Sequence, residues 1–191
     1  MWLLVLALLL LFRGGFSQEV GRVEKYSGRV DVVRSGELRG VPVGEAGGKL
    51  SVGDILRTKF KSYAFVSFVD GSRVEVFELS RLKVLDYKVL REVNVERGVV
   101  KFEVVSKKGV KGFRVNTKHA IIGVKGTVFW VYVLPGYTKV VVEKGKVDVS
   151  YKLKLPNSKW QVLKASKLLI IPEPYGDKPP NQPTSVRVVV Q

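Results

Sequence analysis

No cysteine occurs among the 191 residues, and histidine and methionine occur once each, as His119 and Met1. The missing thiols exclude a disulfide framework, a thiolate nucleophile and any Cys-ligated zinc or iron–sulfur site. One imidazole leaves little room for a His-rich metal centre. Acidic residues are scarce too: 17 Asp+Glu stand against 33 Lys+Arg, for a formal charge of +16 and a pI near 10.1. What is plentiful is apolar material, 46% of the chain, which is enough for a real core in one ordinary domain and excludes disorder as a whole-chain description.

Long hydrophobic runs are also lacking. The longest, Met1 to Phe12, falls short of the roughly 20 residues that a membrane-crossing helix needs. It is followed by Gly14, Gly15, Phe16 and Ser17, which puts small residues at the −3 and −1 positions of a cleavage after Ser17. Residues 1–17 are therefore expected to be a secretory signal peptide, with an uncleaved short anchor as the alternative. Without cysteine, a lipidated variant of that signal is excluded. The expected location is the periplasm or the exterior.

From residue 18 onward the pattern is that of strands. Valine accounts for 37 residues, and β-branched side chains suit a pleated, half-buried surface. Short alternating runs broken by glycine-containing turns predict an all-β fold, an elongated, solenoid-like or sandwich-like stack of antiparallel β-hairpins. Ala64 to Val69 is expected to turn at Asp70-Gly71 and return through Ser72 to Val76. Arg91 to Val95 is expected to turn around Glu96-Arg97-Gly98, and Thr138 to Val142 at Glu143-Lys144-Gly145. One phrase recurs, Gly28-Arg29-Val30-Asp31-Val32 and Gly145-Lys146-Val147-Asp148-Val149, with looser versions at Gly71 and Gly98. Its irregular spacing reads as a hairpin-return phrase used several times. Thr127 to Val133 is apolar on both faces and predicts a central strand. Five of the eight prolines fall between Pro172 and Pro183, so residues 172–184 read as an extended linker between a main domain, 18–171, and a C-terminal strand or tail, 185–191.

Candidate chemistry is thin. A Ser–His–acid triad would have to use His119, which has cations nearby and no acid partner in sequence. Gly123-Val124-Lys125-Gly126-Thr127 lacks the order and the following helix of a phosphate loop. Asp54, Asp70 and Asp86 show neither metal-loop spacing nor pairing. No catalytic residue, metal site or cofactor is expected. The stronger signal is charge: Lys107, Lys108, Lys111 and Arg114, with Lys118 and Lys125 beyond, form a patch suited to a protein partner or a polyanion. Nucleic acid is disfavoured, because the export signal takes the protein out of the cytoplasm.

Six phrases in order resemble the FecR domain of bacterial envelope proteins. They are Gly53-Asp54-Ile55-Leu56-Arg57-Thr58; Asp70 to Val76 with Ser80-Arg81-Leu82; Val95 to Val104; Phe113 to Thr117; Gly123 to Val131; and Val140 to Val147. Gly126-Thr127-x-Phe129 is the most specific of them, and the resemblance covers roughly Gly21 to Tyr151. It implies a periplasmic stack of β-hairpins without catalytic residues. Signalling members of the family join such a domain to a membrane helix and a cytoplasmic sigma-factor regulator, and contact an outer-membrane receptor. Neither the helix nor the regulator is apparent here, so direct sigma-factor control is not expected. The expected role is a binding or scaffold module that contacts another envelope protein; the alternative is recognition of acidic polysaccharide or phosphate-rich lipid. Gly71, Gly98 and Gly145 are expected to supply turn geometry, and Gly126, beside Thr127, a close backbone approach or a bulge.

Overall fold

The structure, a computed structural model, describes residues 18–109, 111–151, 168–172 and 185–190. The expected signal peptide and nearly all of the Pro-rich linker lie outside those residues. Fifteen strands and one short helix make up the described fold. In chain order the strands are β1 (Glu19–Ser27), β2 (Val30–Val33), β3 (Gly40–Pro42), β4 (Lys49–Ser51), β5 (Ile55–Thr58), β6 (Tyr63–Phe68), β7 (Arg73–Val76) and β8 (Arg81–Tyr87). They continue as β9 (Leu90–Glu103), β10 (Gly112–Asn116), β11 (Ala120–Val124), β12 (Val128–Leu134), β13 (Tyr137–Tyr151), β14 (Leu168–Pro172) and β15 (Ser185–Val190). The single turn of helix, α1 (Val43–Ala46), connects β3 to β4.

The strands form two layers. A front sheet runs β4-β1-β6-β7-β9-β12-β13-β14. A back sheet runs β3-β2-β5-β8-β9-β10-β11-β13-β15. Every pairing is antiparallel except β9 with β10, which is parallel. The layers are not separate, because β9 and β13 belong to both. The all-β expectation holds, and the sandwich-like form of it describes the layers.

Alternation does the sorting. In β6 every second residue, Ala64, Val66 and Phe68, points inward, and Tyr63, Phe65 and Ser67 point outward. The inner faces meet in one core, where Phe102 and Phe129 of the front sheet stack at 5.1 Å and Phe113 of the back sheet packs edge-on to Phe102 at 5.8 Å. All three rings are buried, and burying one such side chain contributes about 1.5–3 kcal/mol.

Two expected hairpins prove to be something else. Asp70-Gly71 does turn β6 into β7, with the Ser72 carbonyl accepting the Phe68 N–H at 2.8 Å. Gly98 and Gly145 do not reverse the chain. They lie inside the 14-residue β9 and the 15-residue β13, where each strand leaves one sheet and enters the other. Gly28, between β1 and β2, performs the same switch from front to back. This is the structural meaning of the recurring glycine phrase.

The three switches share a construction. The residue before each glycine pairs with the first residues of a neighbouring strand: Ser27 with Tyr63, Arg97 with Arg81, and Lys144 with Val128. A hydroxyl residue immediately precedes each neighbour, namely Ser62, Ser80 and Thr127. Ser62 Oγ accepts the Arg29 N–H at 2.9 Å, Ser80 Oγ accepts the Val99 N–H at 2.9 Å, and Thr127 Oγ1 donates to the Lys146 carbonyl at 2.8 Å. Each hydroxyl also lies within hydrogen-bond distance of the carbonyl two residues before it, at Phe60, Glu78 and Lys125. The hydroxyl thus satisfies backbone groups that the bend takes out of the ladder.

Glycine is required at the bends for two reasons. At Gly98 and Gly145 φ is +93° and +97°, values a β-branched residue reaches only with strain. A Cβ at Gly98 would also lie 2.5 Å from Ser80 Cα, and one at Gly145 would lie 2.8 Å from the Gly126 carbonyl oxygen. Gly126 therefore is the wall against which Gly145 packs. Its own need for glycine is its φ of +62°, and a Cβ there would also come within 3.3 Å of Ser106 Cβ, a tight contact.

The long strand β13 would be the outermost strand of both sheets without the C-terminal segments. β14 pairs with its first half, Tyr137 to Val141, and β15 with its second half, Gly145 to Ser150. The valine-rich C-terminal run therefore docks as a strand, which covers an edge that would otherwise invite pairing with another chain.

Candidate functional site

The outer face of the front sheet is unusually aromatic. Antiparallel register lines up Phe65, Glu75, Lys101, Trp130 and Val141 in one row across β6, β7, β9, β12 and β13. Next to it lie Tyr63, Val99, Tyr132 and Lys139, with Phe77 just past the end of β7. All of these side chains are partly exposed. Phe77 and Trp130 stack at 5.2 Å, Trp130 and Tyr132 at 6.1 Å, and Tyr63 meets Phe77 edge-on at 5.6 Å. Lysines lie against the same rings, Lys101 at 5.1 Å from Trp130 and Lys139 at 4.0 Å from Tyr132.

Polar contacts fix the rings. Trp130 Nε1 donates to Glu143 at 2.6 Å, and Tyr63 Oη donates to Glu75 at 2.9 Å. Partial burial, reinforced by the Glu75 carboxylate, pushes the Tyr63 hydroxyl up to about 12. The result is a pre-ordered surface of rings and lysine stems carrying both charge signs.

The outer face of the back sheet is different in kind. Register aligns Glu92, Arg114, Gly123 and Asp148 across β9, β10, β11 and β13. Glycine at 112 and 123 leaves the sheet surface low between the cationic side chains. A groove of about 630 Å³ opens there, lined by Lys111, Arg114, Lys125 and Lys146, with Asp148, Leu90 and Ser106. Arg114 Nη1 lies 3.7 Å from Glu92.

Beneath one end of the groove is a buried polar cluster. Arg91 Nε stands 3.1 Å from Asp70 Oδ2, and Tyr87 Oη donates to Asp70 Oδ1 at 3.2 Å. Asp70 also accepts the Ser72 N–H at 2.9 Å, which ties the cluster to the β6–β7 turn. Burial first, and the Asp70 charge second, raise the Tyr87 hydroxyl far above its ordinary value. Arg91 is only 8% exposed, and its Nη1 has no hydrogen-bond partner within the described residues.

The structure divides the basic patch expected from sequence. Lys111, Arg114 and Lys125 come together in the groove, and Lys107 lines a small cavity at its end. Lys108 is exposed in the loop before β10. Lys118 does not belong with them. It sits at the opposite end of the β10–β11 hairpin, about 16 Å away at strand rise. Lys146, 21 residues beyond Lys125 in the chain, takes its place through the β11–β13 pairing. Of the aromatics on these strands, Phe68, Phe102, Phe113 and Phe129 are buried in the core, whereas Phe65 and Trp130 face outward.

His119 is buried, with Nδ1 2.8 Å from Thr138 Oγ1, and Thr117 Oγ1 accepts its backbone N–H. Asp54 is likewise structural. It receives Arg34 Nη1 at 2.7 Å and the N–H groups of Ser35 and Ser51. Among the described residues no group of His, Asp and Glu is arranged to hold a metal ion, and no helix is long and apolar enough to cross a membrane.

Fold and surfaces define an all-β two-sheet module whose open faces differ in chemistry. The family model described as FecR protein matches residues 54–148, and the chain carries a FecR domain over that stretch. The match starts at the buried Asp54 and ends on β13, so it takes in both the aromatic face and the cationic groove. No curated protein matches the chain. Two crystal structures of a candidate anti-sigma factor from Parabacteroides distasonis, at 1.65 and 2.50 Å resolution, are each 21% identical to it, with a TM-score of 0.49. Each match covers 63% of this chain and 60% of that protein, so the chain spans about three fifths of its length. At this distance the likeness carries no role from one protein to the other.

Proposed function

We propose that this protein is an exported, non-enzymatic module of the bacterial cell envelope that binds another envelope protein, in scaffolding or signalling. The observation that carries this reading is the outer face of the front sheet, where Tyr63, Phe65, Phe77, Trp130 and Tyr132 lie in adjoining rows. Tyr and Trp are enriched in the cores of protein interfaces and dominate their energetics. They present a large contact area at a low cost in side-chain entropy. The ring contacts and the Glu143 and Glu75 hydrogen bonds hold the rings in place before any partner arrives, which reduces the ordering cost of association. The FecR domain supports a regulatory rather than a catalytic role.

Export rests on the amino-terminal sequence, Met1 to Ser17. Sequencing the amino terminus of protein recovered from the periplasm or medium is expected to begin at Gln18. A product confined to the cytoplasm and starting at Met1 would remove the envelope assignment.

Partner binding is tested by affinity capture from the envelope fraction of the source cells, with the full chain and with a Trp130→Ala/Tyr132→Ala variant. The expected result is a stoichiometric protein partner that resists high salt and is lost with the variant. A partner retained equally by the variant would contradict the assignment to this face.

A further inference from the structure

We propose that the groove on the back sheet is a binding site for phosphate esters. This goes beyond the protein-binding reading and rests on a different surface. Four cations from three elements converge there: Lys111 before β10, Arg114 on it, Lys125 at the end of β11 and Lys146 on β13. Their approach follows from topology, since the β10–β11–β13 pairings bring positions 114, 123 and 148 into one row. Gly112 and Gly123 remove the side chains that would fill the space between them. The volume of about 630 Å³ suits a phosphorylated sugar or headgroup better than a bare ion.

The charges are partly offset. Glu92 lies 3.7 Å from Arg114, and Asp148 lines the groove. Cations still outnumber carboxylates, and a planar guanidinium flanked by ammonium groups matches a tetrahedral dianion.

A second observation points the same way. Arg91 lines a cavity of about 10 Å³ that shares Ser106, Gly112, Phe113 and Lys125 with the groove. Its buried Nη1 has no hydrogen-bond partner among the described residues. That cavity, with room for about one water, adjoins the groove through the residues they share. Arg91 is ion-paired with Asp70, which lines the same cavity, so it offers the groove a spare hydrogen-bond donor rather than net charge. The lysines and Arg114 supply the potential.

The test uses the full chain and four probes: phosphatidylcholine vesicles carrying diphosphoryl lipid A, plain phosphatidylcholine vesicles, glucosamine 1-phosphate and glucosamine. The variant is Arg114→Gln/Lys125→Gln/Lys146→Gln. A control, Lys49→Gln/Lys83→Gln/Lys88→Gln, removes the same charge elsewhere. The expected result is binding to at least one phosphorylated probe and to neither unphosphorylated one. The groove variant is expected to weaken it about tenfold or more, the scale of one lost charge-assisted hydrogen bond, and the control to change it less than threefold. Binding only to lipid A vesicles would assign the phosphate to a membrane headgroup, and binding to the soluble sugar phosphate to a free ligand. Equal losses in the two variants would show a net-charge effect, and no binding to either phosphorylated probe would show no site; each overturns the proposal.

Discussion

The two outer faces of this domain are built on the same strands and do opposite things with them. On the front sheet, positions that alternate outward carry rings, and charge is used to hold those rings in place, as Lys101, Lys139 and Glu143 do around Trp130 and Tyr132. On the back sheet the corresponding positions carry charge, and glycine keeps the surface between them low. β9 and β13 contribute to both faces, changing character at Gly98 and Gly145. A glycine that lets a strand change sheets therefore also lets one strand serve two surfaces of unlike chemistry.

The largest effect is expected from removing the core that both faces share. Phe102→Ala deletes the ring lying between Phe129 of the front sheet and Phe113 of the back sheet. A loss of about 3–5 kcal/mol is expected in denaturant unfolding. Both faces should be lost in one transition, which near-ultraviolet circular dichroism of the tryptophans and binding of a groove ligand would report at the same midpoint.

The switches come next. Gly98→Ala and Gly136→Ala both place a side chain at positive φ, +93° and +82° respectively, a backbone cost of about 1–3 kcal/mol each. They differ in space: a Cβ at Gly136 meets nothing within 4 Å, whereas one at Gly98 runs into Ser80. Gly98→Ala should therefore melt well below Gly136→Ala. Equal melting temperatures would show that the switch at Gly98 is not tightly built.

High pH is expected to act on both faces, at smaller amplitude. Tyr63 on the front face and Tyr87 behind the back face both bind their protons more tightly when folded than an ordinary tyrosine does. Their contribution is fully present below the unfolded value of about 10 and is lost as pH rises above it. Thermal melts should hold level up to about pH 10 and fall beyond, with Tyr87 the larger contributor because it is buried by both sheets. Stability unchanged between pH 10 and 12 would contradict that environment. The smallest effect on stability is expected from Trp130→Ala/Tyr132→Ala, whose consequence should fall on partner binding.

Much of this was legible in the sequence where the signal is local. Asp70-Gly71 between two alternating runs is a hairpin because both strands lie next to the turn. Gly98 and Gly145 carry the same local signal, a positive-φ glycine between alternating runs. What distinguishes a reversal from a sheet switch is which distant strand supplies the pairing and the hydroxyl, and Ser80 and Thr127 are 18 residues from their glycines. The aromatic face has a similar history. Phe65 and Phe68 have opposite parity in one strand, so only one of them could point inward, yet parity alone does not say which. The groove needed Lys146, which joins Arg114 and Lys125 only through the register of β11 with β13. Adjacency in sequence favoured Lys118 instead, and a five-residue strand carries it to the wrong end.

If the two faces bind independently, a crossed experiment on the two variants will separate them. The full chain, the Trp130→Ala/Tyr132→Ala variant and the Arg114→Gln/Lys125→Gln/Lys146→Gln variant would each be assayed for partner capture from the envelope at high salt and for binding of glucosamine 1-phosphate and of vesicles carrying diphosphoryl lipid A. The aromatic variant should lose the protein and keep the phosphorylated probe, and the groove variant should do the reverse. A folded variant that loses both, or a groove variant that loses only the protein, would contradict the division of labour between the faces.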